Sequence, residues 1–416
     1  MSNQRKKILI LSPYSIAVPM HGGSKRVAAI AAQYRQLGYE VRVAAIYADN
    51  GDVTVKSETR ILIKDQNALS LIGLANRYQT GGLGLNTAIM ADNSALKKIV
   101  SLVNKFNPEI IHAEQPFFVN LLEHLADTRL FSGKIIYGSQ NIEYKMRKQM
   151  LRDVKSVSCM RKKIVVHQVK QLEAAMIRLS SAVVAVSEQD AHGLRKIFKI
   201  DPRKIIVAPN GISELSYSDK EIRHVRKELE NLGVTKIALF IGSAHKPNLD
   251  GFIEMLSQVP ALASFQKIAV VGGVANLIDG YMNNASVQLR KDDLLLYGNV
   301  AEDRLTALIS LADLILLPIT SGGGSNLKTA EAILSGKSIL ATSYAFRGYE
   351  PYEHLAGVHI LNKPCHFVTR LVEMMSSTDK LACRSEQERS FARNVLWENT
   401  LKNLAHIEHV LFRAEC

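Results

Sequence analysis

Short runs of consecutive apolar residues alternate along this chain with longer stretches in which apolar positions recur every three or four residues. KKILILS (6–12) is the first such run, bounded by lysines on one side and by Ser12 and Pro13 on the other. It predicts a strand covered on both faces, because a half-exposed strand would alternate. The loop PYSIAVPMHGGS follows, then KRVAAIAAQYRQLG, spaced as a helix and stopped at Gly38 as a left-handed C-terminal cap requires. YEVRVAAIY, IIHAEQPF (110–117), KIIYGSQNI (134–142), SAVVAVSEQD (181–190) and KIIVAPNGI (204–212) read as further strands. Strand and helix in alternation predict a doubly wound parallel sheet.

Pro209, Asn210 and Gly211 form a turn, and the same grammar then restarts. KIALFIGS (236–243), KIAVVGG (267–273), LLLYGNV (294–300) and DLILLPI are strands, with helices PNLDGFIEMLSQV and EDRLTALISLA between them. ILATSYAFRGYE adds one more strand and a turn, and the chain from His366 to Leu411 reads as helices only. The reading is therefore α/β, with two Rossmann-like doubly wound domains in tandem. Their bounds are 1–210 and 211–390, and a helix over 391–416 is expected to cross back to the first domain.

Composition narrows the class. The chain has 416 residues, 47% apolar and 22% charged, which suits two globular domains with their own cores. No apolar run approaches the roughly 18 residues that a bilayer-spanning helix needs. ILIL at the N-terminus is too short for the apolar region of a signal peptide, so a cytoplasmic protein is expected. Cys159, Cys365, Cys383 and Cys416 are scattered without CxxC spacing, against a zinc site or a disulfide framework. The net charge of +13 is uneven: residues 1–210 carry 31 basic and 16 acidic side chains, and residues 211–416 carry 21 and 23. One half thus points to an anionic partner.

Candidate chemistry concentrates in TSGGGSNLKTAEAILSGKSI (320–339), directly after LADLILLP. In open parallel sheets ligands bind beyond the carboxyl ends of the strands, where Gly322, Gly323 and Gly324 fall. Glycines admit positive φ and close approach of a ligand to the backbone. Ser325 reads as an N-cap for a helix from Asn326 to Ser335, closed by Gly336. Its free N–H groups and positive dipole end make an anion site. Lys328 in its first turn is disfavoured unless an anion is present, and Glu331 follows three residues on, on the same face. The lysine does not directly follow the last glycine, so this is not a P-loop. Two readings stand: a nucleoside diphosphate held by glycines, helix start and Lys328 with Glu331 on the ribose, or an ordinary strand-to-helix turn.

GGGSNLKTAEAILSGKSILAT resembles the donor-binding segment of GT-B glycosyltransferases, in particular the large retaining family 4. VVAVSEQDAHGL, IIVAPNGI, LFIGSAHKPNLDGF, AVVGG, LLYGNVAEDRLTALISLADLILLPI and LWENTL extend the resemblance in order and spacing over most of the chain. It implies two domains facing a cleft, with a nucleotide-sugar donor on the second and an acceptor on the first. It implies that Glu331 binds the ribose and that Gly324, Ser325, Asn326 and Leu327 meet the diphosphate. Lys328 would neutralise the departing phosphate. Gly22 and Gly23 would touch the diphosphate from the first domain. Lys25 and Arg26 follow them as a pair read equally well as solvated.

The chain departs from the family pattern in three places. Gly323 stands where a glutamate near the transferred sugar is common. GSAHKPN replaces an arginine–lysine pair, leaving Ser243 and Lys246, with His245 beside them, as candidates there. Glu114, in HAEQP, stands where several relatives have a histidine. It reads either as the group that orients or deprotonates the acceptor hydroxyl, or as a loop glutamate paired with a basic neighbour. His112 reads as a hydrogen-bonded core residue. Asn141 and Glu143, in SQNIEY, match a cleft element of the family, as structural or acceptor-side residues. No D-x-D occurs, so neither a metal nor any other cofactor is expected, with lysine and helix dipole in place of a cation.

Residues 145–171 carry nine Lys/Arg against Asp153 alone, with Met146, Met150, Val154, Val157 and Met160 interleaved at about helical spacing. This suits an anionic membrane surface on the inner face of the cell membrane, or a solvated helix packed on its own sheet. Nothing resembles a nucleic-acid-binding motif. The leading expectation is a glycosyltransferase that moves a sugar to a glycan or lipid-linked acceptor in surface polysaccharide synthesis, with retention following from the resemblance alone. A catalytically silent GT-B subunit and a nucleotide-sugar epimerase are the alternatives. A nicotinamide dehydrogenase is disfavoured because neither first strand is followed by GxGxxG.

Overall fold

The computed structural model describes residues 5–17, 21–48, 58–77, 80–152, 154, 156–283, 288–322, 326–377 and 384–412. It divides into two compact units, one of residues 1–210 with 400–416 and one of 211–399.

The first unit runs β1 (Lys7–Ser12), α1 (Gly22–Gln36), β2 (Glu40–Tyr47), β3 (Thr59–Leu62), α2 (Gln66–Asn76), α3 (Gly81–Ala91), α4 (Asn93–Phe106), β4 (Ile110–Glu114), α5 (Val119–Asp127) and β5 (Lys134–Ser139). It continues with α6 (Glu143–Arg152), α7 (Cys159–Leu179), β6 (Ala182–Ala185), α8 (Glu188–Phe198) and β7 (Ile205–Val207). The strands form one sheet in the order β3-β2-β1-β4-β5-β6-β7, with the pairings parallel throughout. β1 is buried from Ile8 to Ser12 and β4 along its whole length, so both faces are covered.

The second unit runs α9 (Asp219–Asn231), β8 (Lys236–Ile241), α10 (Lys246–Leu256), β9 (Gln266–Val271), α11 (Val274–Met282), β10 (Leu294–Gly298) and α12 (Glu302–Leu311). Then come β11 (Leu314–Leu317), α13 (Leu327–Ser335), β12 (Ser338–Ala341), β13 (Val358–Ile360), α14 (Pro364–Ser376), α15 (Glu386–Ala392) and α16 (Trp397–Thr400). Its sheet is also parallel, in the order β10-β9-β8-β11-β12-β13. In each sheet the order reverses beside the unit's first strand, between β1 and β4 and between β8 and β11. Those reversals are the topological switch points at which open α/β sheets bind ligands.

Some of the pattern reading needs correction. β3, β13 and the helices α2 and α3 went unread. β3 and β13 have only four and three residues, too few for a periodic signal. The final segment is not one helix: it breaks into α15, α16, 3₁₀ turns and α17 (Ile407–Phe412), and Thr400 begins the return to the first unit. Residues 145–171 are likewise two helices. Ser158 caps a fresh start, accepting from the Arg161 N–H at 3.4 Å, so the apolar stripe is interrupted. Val157 is buried and Met146, Met150 and Val154 are half-buried, whereas Met160 is 74% and Ile164 49% exposed. Asp153 lies outside the described residues.

Candidate functional site

In the second unit the switch point is flanked by the loops after β8 and β11. The loop after β11 holds the glycine-rich stretch. Gly322 has φ +127°, a conformation that other residues rarely adopt. Its carbonyl accepts from the Tyr344 hydroxyl and, at 3.3 Å, from Arg347 Nη1. Arg347 Nη1 also donates to the Tyr344 hydroxyl at 2.7 Å, and its guanidinium stacks on that ring at 4.7 Å. The turn after β12 therefore braces the loop and brings a half-buried cation to it. The pattern reading took ILATSYAFRGYE as strand and turn and missed Tyr344 and Arg347; an arginine and an aromatic in a turn at a strand's carboxyl end were the available signal.

Gly323, Gly324 and Ser325 lie outside the described residues. α13 starts at Leu327, and its N-cap is Asn326, whose side chain accepts from the Lys328 N–H at 3.3 Å. The helix start is thus one residue later than read, because Asn326 itself has an extended backbone and a side-chain acceptor. Thr329 donates its hydroxyl to the Ala345 carbonyl at 2.6 Å, fixing the first turn of α13 against the turn after β12. Thr329, Ala330, Ala332 and Ile333 face the core, which leaves Lys328 and Glu331 half-buried on the opposite side. Gly336 closes the helix at φ +71°.

The loop after β8 holds Ser243 and Lys246. Ser243 is exposed, and Asn248 Nδ2 donates to its carbonyl at 2.9 Å and its hydroxyl at 3.2 Å. Lys246 is the first residue of α10, exposed, with Nζ 2.7 Å from Asp250 Oδ1 one turn on. That pair is solvated and holds the ammonium only weakly. A Cβ placed on Gly322 would lie 3.8 Å from Pro247 Cβ, so the two loops meet at this switch point.

In the first unit the carboxyl ends of β1, β4 and β5 gather Tyr14, Gly22, Gly23, Glu114, Gln140, Asn141 and Glu143. Gly22 opens α1, and His21 closes a capping box with Ser24. A Cβ on Gly23 would lie 2.5 Å from the Tyr14 hydroxyl and 2.9 Å from Gln140 Oε1, so any side chain here would have to displace those two. Glu114 is at the end of β4 but fully buried. Gln140 Nε2 donates to its Oε2 at 2.8 Å and also reaches the Tyr14 hydroxyl, and His112 Nε2 lies 3.1 Å from its Oε1. His112 sits in the core with Nδ1 2.9 Å from the Tyr34 hydroxyl.

Burial alone would raise the Glu114 pKa, but contact with His112, the charges of His112 and Arg26 and the Gln140 hydrogen bond outweigh it and hold it below the usual value. A carboxylate so engaged is a weak general base. As placed, it meets Gln140 directly and Tyr14 through Gln140. Arg26, left open between a cleft residue and a solvated one, is 1% exposed; its Nη1 donates to the Ala208 carbonyl at 2.8 Å and to Asn210 Oδ1 at 3.0 Å. The pattern reading missed it because position along a helix does not show which first-turn cation finds buried acceptors. Asn141 is half-buried. Glu143 is buried, and burial pushes its pKa up to about 7 against the opposing effects of Arg147 and Asn141.

Residues 20–214 match the family model described as Glycosyltransferase Family 4. The chain also superimposes on solved structures over nearly its whole length. Sucrose-phosphate synthase from Thermosynechococcus elongatus is 14% identical with a TM-score of 0.69, over 99% of this chain and 100% of that one. The chain has the GT-B fold. Two further GT-B structures are similar to it. Anabaena HepE in complex with UDP-glucose is 15% identical with a TM-score of 0.65, covering 97% of this chain and 99% of that one. WaaG, a glycosyltransferase involved in lipopolysaccharide biosynthesis, is 14% identical with a TM-score of 0.62, covering 99% and 100%. No curated protein matches the sequence. Among the described residues, no helix of this GT-B chain is long and apolar enough to cross a membrane, and no cluster of three or more His, Cys, Asp or Glu is placed to hold a metal ion.

Proposed function

We propose that the protein transfers a sugar from a nucleoside-diphosphate sugar, held on the second unit, to a hydroxyl of a glycan or lipid-linked acceptor held on the first. The observation that carries this is the placement of Lys328 and Glu331 on a helix that starts from the glycine-rich loop at a switch point. In this reading the α13 start and Lys328 bind the diphosphate, aided by Gly324, Ser325, Asn326 and Leu327 and by Lys246 and Ser243 from the loop after β8. Glu331 accepts from the ribose hydroxyls. Gly22 and Gly23 present backbone to the donor, and Asn141 and Glu143 contact the acceptor. Glu114 orients Gln140 and Tyr14 beside them.

The bond from the anomeric carbon to the diphosphate oxygen breaks, a bond to the acceptor oxygen forms as the acceptor hydroxyl gives its proton to the departing diphosphate oxygen, and the nucleoside diphosphate leaves with its charge balanced by Lys328. The UDP complex of HepE and the involvement of WaaG in lipopolysaccharide biosynthesis support a nucleotide-sugar donor and a cell-envelope product. Retention is adopted from the resemblance to family 4. The exposed pair Met160 and Ile164, flanked by exposed Arg161 and Lys163, supports peripheral attachment to an anionic inner membrane surface.

The test is nucleoside-diphosphate release from a panel of UDP-, GDP-, dTDP-, CDP- and ADP-sugars, with envelope glycolipid as acceptor. Acceptor-dependent release from one donor class, lost in Lys328→Ala, is the expected result. Nucleotide binding without release from any donor would move the protein to the silent-subunit reading, and isomerisation of the sugar without acceptor to the epimerase reading.

A further inference from the structure

The start of α6 is held from outside the helix. Ile142 stands at its N-cap position, with its carbonyl accepting from the Met146 N–H at 3.1 Å. Its side chain has no acceptor for the first-turn N–H groups that a Ser, Thr, Asn or Asp would satisfy. Glu173, from the interior of α7, takes that part. Its Oε1 accepts from the Glu143 N–H at 3.0 Å and its Oε2 from the Tyr144 N–H at 3.3 Å. Tyr137, on β5, donates its hydroxyl to the same Oε1 at 3.3 Å. One carboxyl group thus joins three elements, and it is fully buried. An apolar side chain would fill this place in α7 without the desolvation that a carboxyl suffers. The reason for a carboxyl here is therefore what it holds.

We propose that Glu173 is a positioning residue: its carboxyl clasps the first turn of α6 to β5 and α7, and so sets Asn141 and Glu143 at the carboxyl end of β5. That those two residues face an acceptor rests on the function proposed above, whereas the clasp rests on the hydrogen bonds alone.

Burial pushes the Glu173 pKa up to about 8, with the Glu143 charge adding to it and the two backbone N–H groups and Tyr137 opposing. Glu143 is itself raised to about 7, with Arg147 on the same helix countering. Tyr144 completes the α6 side, and α5, which also packs on α7, turns Glu123 and Asp127 to solvent. A closed clasp keeps a proton that an opened, hydrated one releases, so raising the pH favours opening.

Amide hydrogen exchange over residues 143–146 of the full chain reads this directly, corrected for intrinsic rates, at pH 5.5 and 8.5. Wild type is expected to lose protection there at least tenfold at the higher pH. Glu173→Gln, whose amide oxygen can accept from one of the two N–H groups while its NH2 cannot accept from the other, is expected to keep the same partial protection at both, and Glu173→Ala to be unprotected at both while α8 amides are unchanged. Equal protection in Glu173→Ala and wild type would overturn the clasp, and pH-independent protection in wild type would overturn its pH dependence. With a donor and acceptor in hand, Glu173→Ala should raise the acceptor KM and leave nucleotide affinity unchanged, with Glu173→Gln restoring it in part. An unaltered acceptor KM in Glu173→Ala would overturn the positioning role. Absence of turnover in wild type would count against the proposed function while the exchange result still decides the clasp.

Discussion

Replacing Arg26 by methionine is the substitution whose effect the first unit specifies most closely. The side chain is 1% exposed, and its guanidinium donates to the Ala208 carbonyl and to Asn210 Oδ1. It also helps hold Glu114, fully buried, in its ionised form. Methionine keeps much of the volume and removes the charge. Deleting one partner of a buried charge arrangement costs about 3–5 kcal/mol, because the remaining charge is left without compensation. For a unit of this size each kcal/mol lowers Tm by about 2–4 °C, so a drop of roughly 6–20 °C is expected. Scanning calorimetry of the full chain should show it in the transition of the first unit alone. Adding Glu114→Gln should recover at least about 1 kcal/mol, since neighbouring charges couple. Because the folded pKa of Glu114 is depressed, its ionised form contributes stability above the unfolded pKa, and this is lost as pH falls through the folded value. The gap between wild type and Arg26→Met should therefore narrow in acid. A loss below about 1 kcal/mol, or additive effects with Glu114→Gln, would refute the coupling.

Two further outcomes are expected. Glu143 and Glu173 titrate in the folded chain near 7 and 8 rather than 4.5, so the folded state keeps protons that the unfolded chain releases. Stability should fall as pH rises from about 4.5 to 8, on the order of a few kcal/mol in all, and a Glu143→Gln, Glu173→Gln double variant should show a flatter slope in urea unfolding. Co-sedimentation with vesicles should show binding to anionic but not zwitterionic lipid, weakened by salt and by Met160→Asp with Ile164→Asp. Equal sedimentation of that variant would place any membrane contact elsewhere.

The doubly wound architecture was legible because buried parallel strands are unbroken apolar runs; KKILILS and KIALFIGS announce themselves. That Lys328 and Glu331 lie on a helix after β11 was legible because a glycine-rich turn between such a run and a periodic stretch marks a strand-to-helix junction. Arg26, Gln140, Tyr344 and Arg347 were not legible in the same way. Their placement depends on tertiary partners far off in sequence, such as Ala208 for Arg26 and Tyr14 for Gln140, and no periodicity records those. For the same reason Glu114 reads as an accessible carboxylate at a strand end, whereas Gln140 and His112 close over it. The stripe in residues 145–171 misled because five apolar residues at helical spacing do not reveal that Ser158 starts a new helix.

The central claim is that the α13 start binds a nucleoside diphosphate, and nucleotide binding measured on wild type and Glu331→Ala tests it most directly. Binding to the folded state must raise the melting midpoint. One nucleoside diphosphate among UDP, GDP, dTDP, CDP and ADP should stabilise wild type and fail to stabilise Glu331→Ala. No shift with any of the five, or an equal shift in the variant, would contradict the assignment of this helix as the donor site.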